Sequence, residues 1–132
     1  MKIIEVNTLP SALALNLGAL RSSGKRPGVV EALPEVTYVR PRVVVDAKRV
    51  AAYAKVCGFS KAHGVPMLFP HLDAFPLAMM LFGSRRFPFP AMGLVHLANS
   101  ARLLKRIDVD DVLRIEMRTG ELHAHEKGQV MT

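Results

Sequence analysis

The stretch Ala74–Phe82 constrains the fold more than any other part of this 132-residue sequence, because none of its side chains is charged or forms strong hydrogen bonds. Asp73 is suited to cap a helix here, Pro76 is tolerated in a first turn, and Gly83 can end the helix. A helix that is apolar all round is buried on all sides. This one is too short to span a bilayer, so we expect a sheet or a neighbouring subunit to surround it.

Local signals elsewhere predict strands and short helices. Val112–Arg118 alternates apolar and charged side chains, which is typical of an antiparallel sheet with one face in water. Pro41 lacks an N–H, so the strand around it should lie at an edge or carry a bulge. The order of elements predicts an α+β fold. Further predicted elements are strands at Met1–Val6, Thr37–Val45, Met92–Leu97, His123–His125 and Gln129–Thr132, helices at Ala12–Leu20 (capped by Ser11) and Ala47–Val56 (between Asp46 and Gly58), and a loop at Arg21–Gly28.

The charge and cysteine content narrow the function classes. The net charge of +7 raises the question of nucleic-acid binding. Basic residues are nevertheless scattered, with no aromatic ladder among them, so we expect no nucleic-acid partner. Cationic side chains can instead attract the phosphates of coenzyme A or an acidic acyl-carrier protein. With Cys57 as the sole cysteine and no apolar run long enough for a membrane span, we expect a cytoplasmic protein without a membrane partner.

Three phrases together resemble the MaoC-like dehydratase and (R)-specific enoyl-thioester hydratase family. They are Val45–Asp46 with Ala51–Phe59, then Phe69–Leu77, and then Phe87–Asn99, which reads Phe-Pro-Phe-Pro-Ala-Met-Gly-Leu-Val-His-Leu-Ala-Asn. The resemblance runs from about Val43 to Thr132. It is greatest to the N-terminal half of double-hot-dog members.

The resemblance implies a hot-dog fold, in which an antiparallel sheet wraps a central apolar helix. It implies a hot-dog domain at 37–132, with its last strand or strands missing, after an N-terminal extension and linker at 1–36. The implied reaction is the reversible hydration of a trans-2-enoyl thioester to a 3-hydroxyacyl thioester. The implied partners are an acyl thioester as substrate and a second copy or second hot-dog domain. No cofactor or metal is expected.

The family's catalytic phrase is absent from this chain. It places an Asp and a His shortly before the central helix, as Gly-Asp-x-Asn-Pro-Ile/Leu-His. Here the equivalent region is Cys57–Pro66, with Phe59 where the acid stands. The catalytic pair is therefore expected from another half or chain, while this one shapes the acyl pocket.

Within this chain, His71 and Asp73 are the candidate catalytic residues, because they lie close together near the start of the central helix. The alternative for Asp73 is a helix cap. For His96, in an apolar segment, the alternative is a core histidine. The candidate substrate-binding residues are Phe75, Met79, Met80, Met92, His96, Arg85 and Arg86; ordinary core packing explains the methionines equally well.

The remaining reactive side chains predict no site. His123 and His125 have the spacing of one strand face but no third ligand. His63 is expected in an exposed loop, and Cys57 ends a helix, where no helix N-terminus lowers its pKa. Two functions remain open beside hydration. One is a non-catalytic acyl-thioester-binding or dimerisation module, and the other is a thioesterase with Asp73 as its carboxylate.

Overall fold

The computed structural model describes residues 1–132 and contains a three-stranded sheet. Its strands are β1 (Lys2–Glu5), β2 (Val36–Val44) and β3 (Val112–Arg118), in that spatial order. β3 runs antiparallel to β2, but β1 runs parallel to it. The sheet is therefore mixed, and the expectation of a purely antiparallel sheet is wrong for β1.

Pro41 lies at an irregularity in the central strand. The pairing of β2 with β3 shifts register between Arg40 and Val43. Because β2 has a partner on each side, it is not an edge strand. A bulge is the alternative that lets a strand accommodate a residue without an N–H, and the structure shows it.

The two helices with clear caps form as their sequences predict. The first, α1 (Ala12–Ser22), begins where the Ser11 hydroxyl accepts a hydrogen bond from the Ala14 N–H at 3.2 Å. The second, α2 (Ala47–Cys57), begins where the Asp46 carboxylate accepts from the Arg49 N–H at 2.8 Å. Gly58 ends α2 with a φ of 76°, the left-handed conformation that glycine adopts without strain.

The apolar helix α3 (His71–Phe82) is buried on one side only. Leu77 and Leu81 are fully enclosed, whereas Phe75 is 51% exposed and Leu72 is 43% exposed. The expectation of burial on all sides is therefore wrong. Strands lie about 4.8 Å apart, so three of them span roughly the 10 Å diameter of one helix and do not wrap it.

In the C-terminal third, one of the predicted strands is absent and the others are present. The predicted strand Met92–Leu97 does not form, since Ala91–Gly93 is a 3₁₀ turn and no helix or strand follows before β3. A hairpin closes the chain, with β4 (Leu122–His125) antiparallel to β5 (Gly128–Met131). It forms a second sheet, so three helices and two separate sheets make the fold α+β.

The core sits between α3 and the inner face of the sheet. Tyr38 and Val43 of β2 and Ile115 of β3 pack with Leu77 and Phe87. In β3 Leu113, Ile115 and Met117 face this core, as the alternation predicts. A smaller cluster of Val45, Val50 and Phe69 holds α2 beside it. No helix is both long and apolar enough to cross a membrane.

Candidate functional site

Asp73 is the centre of a buried ion cluster. It lies in the first turn of α3, and its side chain is 6% exposed. One carboxylate oxygen accepts a hydrogen bond from the Arg40 guanidinium at 2.6 Å, and the other lies 3.1 Å from that of Arg49. α3 begins at His71 with Pro70 at the N-cap position, so Asp73 is not the helix cap that its spacing suggests.

His71 does not join this cluster. It is exposed, its ring centroid lies 6.0 Å from that of Phe75, and it forms no hydrogen bond with Asp73. The two residues proposed as a catalytic pair are thus close in sequence but have separate surroundings. A base oriented by a neighbouring carboxylate requires hydrogen-bond contact between them, which the structure does not show.

Two of the predicted acyl-binding residues share a groove. Phe75 and Met79 line an apolar groove of about 260 Å³ between α1 and α3, together with Leu15 and Asn16. Met80 points elsewhere and packs against the core. The groove is slightly smaller than a typical ligand pocket.

The other predicted binding residues lie outside the groove. Met92 is exposed in the 3₁₀ turn, and His96 is exposed, with its Nε2 2.8 Å from the Ala98 carbonyl. His96 is therefore neither in a strand nor in the core, and the interpretation as a core histidine is wrong. Arg85 and Arg86 lie on an exposed loop that follows α3.

Lys25 organises that loop, a role that no pattern in the sequence indicates. Its ammonium donates to the Ser84 carbonyl at 2.7 Å and to the Phe87 carbonyl at 2.6 Å, with the Phe82 carbonyl at 3.5 Å. Burial lowers the pKa of Lys25 from its ordinary value of 10.5. The segment predicted as a loop or linker thus holds the end of α3, and its first two residues extend α1 to Ser22.

Tyr38 lies below the same loop. Burial raises the pKa of its phenol above the ordinary 10.0, while the Arg86 charge and a hydrogen bond with Ser84 oppose this. Above pH 10 the unfolded chain releases the phenol proton and the folded chain keeps it, so stability is lost as pH rises towards the raised pKa.

Tyr38→Phe should reduce this loss of stability at high pH, because the variant has no phenol proton to release. The measurement is the free energy of unfolding in urea on either side of pH 10. If this free energy changed equally with pH in the variant and the parent protein, the prediction would be wrong.

The remaining histidines and the cysteine form no common site. Nδ1 of His63 lies 2.8 Å from the Ser60 hydroxyl, His123 lies 3.1 Å from Glu121, and Nδ1 of His125 accepts from the Lys127 N–H. Cys57 is exposed. No three acidic, histidine or cysteine side chains are grouped so that they could hold a metal ion.

Comparison with known proteins connects the chain with a dehydratase of acyl thioesters. The chain is 34% identical over 123 residues to a protein of Mycobacterium tuberculosis (strain ATCC 25618 / H37Rv). That relative is named 3-hydroxyacyl-thioester dehydratase X. The match covers 92% of this chain but 43% of the relative, so the chain spans less than half of the relative's length. No protein-family model matches the chain, and no solved structure gives a significant match.

Proposed function

We propose that this chain is the N-terminal hot-dog half of a MaoC-like 3-hydroxyacyl-thioester dehydratase, which also catalyses the reverse hydration. The observation that carries the proposal is the similarity along 92% of the chain to a named dehydratase of which it spans 43%. In this proposal residues 37–132 form the hot-dog domain, with 1–36 as an N-terminal extension. A second hot-dog domain or chain supplies the catalytic Asp and His.

The reaction needs groups that this chain does not present together. In hydration, the water oxygen bonds to C3 of the enoyl thioester and a proton is added at C2. A base must take a proton from the water, and an acid must supply the proton at C2. The negative charge that develops on the thioester oxygen requires a fixed hydrogen-bond donor. In the family that the chain resembles, an Asp and a His perform these proton transfers.

Asp73 is poorly suited to act as that base. Its carboxylate is buried and binds two guanidinium groups, which occupy the oxygens that would otherwise accept a proton. Phe59, at the position of the family's acid, has its ring 6.5 Å from Tyr53 and stacked on it. The proposal therefore assigns the acyl pocket to this chain and the proton transfers to its partner.

The pairing of Asp73 also bears on the two alternatives. A thioesterase would use a carboxylate beside the central helix, and α3 contains no other Asp or Glu. A non-catalytic binding module needs no free carboxylate, so the cluster favours that function for the isolated chain. Phe75 and Met79 would contact the acyl group both in a binding module and in a dehydratase.

The test is a crotonyl-thioester assay of the folded 132-residue chain with two readouts. We expect no loss of conjugated absorbance and no release of free thiol, together with a raised melting temperature in the presence of the thioester. Absorbance loss without thiol release would show that a catalytic pair exists within this chain. Thiol release would identify a thioesterase, and silence without thermal stabilisation would contradict an acyl-thioester function.

A further inference from the structure

The loop Ser84–Phe87 has unpaired positive charge and unpaired backbone donors. Neither Arg85 nor Arg86 lies within ion-pair distance of an acidic side chain, although five other cations of the chain do. Their backbone N–H groups also find no acceptor within the chain. On either side, the N–H of Ser84 bonds to the Leu81 carbonyl and that of Phe87 bonds to the Ser84 hydroxyl.

Lys25 fixes this loop from the opposite side. Its ammonium lies against the carbonyls of Ser84 and Phe87 and stands 5.9 Å above the Phe87 ring, which is fully buried. The carbonyl dipoles at both ends of the loop are therefore occupied by a cation within the fold. Arg85 and Arg86 are both exposed.

No acid in the neighbouring sequence compensates this charge. Residues 6–30, which contain α1 and Lys25, include no Asp or Glu, and neither do residues 74–107, which contain the loop. Two guanidiniums and two free N–H groups on one fixed turn form the type of donor set that binds oxyanions. Because guanidinium presents its donors as a planar fork, phosphate oxygens match it well.

We infer that the Ser84–Phe87 loop binds a phosphate group of the carrier that bears the acyl thioester. This inference rests on the proposed function, since it takes an acyl thioester as the ligand. The helix rises about 1.5 Å per residue, so the end of α3 at Phe82 lies about 10 Å along the helix from Phe75 in the apolar groove, and the loop begins two residues later. A thioester carrier separates its acyl chain from its phosphates by an extended arm, and two separated binding places on one helix fit that arrangement.

The experiment is calorimetric binding of coenzyme A to three proteins at low ionic strength. The variant is R85S/R86S, and the matched control is R102S/K105S, which removes the same charge at two exposed residues that form no ion pair themselves. We expect the dissociation constant to rise at least about tenfold in R85S/R86S and less than about twofold in the control. The inference would be overturned if the two double variants lost the same affinity for coenzyme A, or if the parent chain did not bind coenzyme A.

Two further ligands identify which phosphate is bound. Dephospho-coenzyme A and pantetheine 4′-phosphate should retain the dependence on Arg85 and Arg86 if the loop holds the phosphate next to the pantetheine arm, which coenzyme A and acyl-carrier proteins share. Loss of the dependence with both ligands would assign the loop to the 3′-phosphate, which only coenzyme A carries. Calorimetry measures binding without any chemical step. It therefore tests phosphate binding by the loop independently of the hydration activity that the crotonyl assay measures.

Discussion

Replacing Asp73 by alanine should lower the free energy of unfolding by about 3–5 kcal/mol, as is typical when one member of a buried ion pair is removed. The carboxylate is 6% exposed, and Arg40, its closest partner at 2.6 Å, is 16% exposed. Without Asp73 the Arg40 guanidinium stays largely buried with no counter-charge, and its desolvation is no longer offset. The measurement is urea denaturation at neutral pH.

The control for Asp73→Ala is Asp108→Ala, because the two changes remove the same charge and differ in burial. Asp108 accepts from Arg106 at 2.8 Å, but both side chains are more than half exposed. Water screens such a pair, so its loss should cost about 1 kcal/mol or less. Similar losses for the two variants would contradict a structural role for the Asp73 cluster and would reopen the question of its catalytic use.

Features set by neighbouring residues were predictable from the sequence. Ser11 and Asp46 cap their helices through contacts three residues away, and Gly58 ends α2 because it adopts a left-handed conformation. The alternation of Val112–Arg118 correctly indicates which face of β3 is buried. Each of these signals lies within a few residues of the structure it specifies.

Contacts between distant residues were not predictable in this way. Arg40 is 33 residues from Asp73, and Lys25 is 62 residues from the Phe87 carbonyl that it binds. Nothing in the spacing of single charged residues indicates such pairs. Asp73 resembles a cap because it precedes the apolar run Ala74–Phe82, but the helix begins two residues earlier, at His71, which places Asp73 within its first turn.

The apolar segments show a second limit of sequence patterns. Met92–Leu97 has the composition of a strand, yet it pairs with no other strand, and Val95 and Leu97 remain exposed. Ala74–Phe82 has the composition of an enclosed helix, yet only Leu77 and Leu81 are fully enclosed and Phe75 is exposed. Apolar composition indicates a preference for burial, whereas the elements available to cover a segment determine how much is buried. In this chain a sheet of three strands covers one side of α3.

This one-sided burial makes Leu77 and Leu72 of α3 a matched pair for mutation. Leu77→Ala should lower the free energy of unfolding by about 2–5 kcal/mol, because the side chain is 0% exposed and its removal leaves a cavity beside Tyr38 and Phe87. Leu72→Ala is the same substitution on the same helix at a side chain that is 43% exposed, and it should cost less than about 1 kcal/mol.

The difference between the two variants measures how much of α3 is covered in solution. Both should be compared by urea denaturation with equal m-values, so that the midpoints report stability alone. If Leu72→Ala were as destabilising as Leu77→Ala, the outer face of α3 would be covered by a second copy of the chain. That loss would then depend on protein concentration, because the stability of an associated state follows mass action. A large difference that is independent of concentration means that the outer face, with Phe75 and its groove, is open to a ligand or to a second domain.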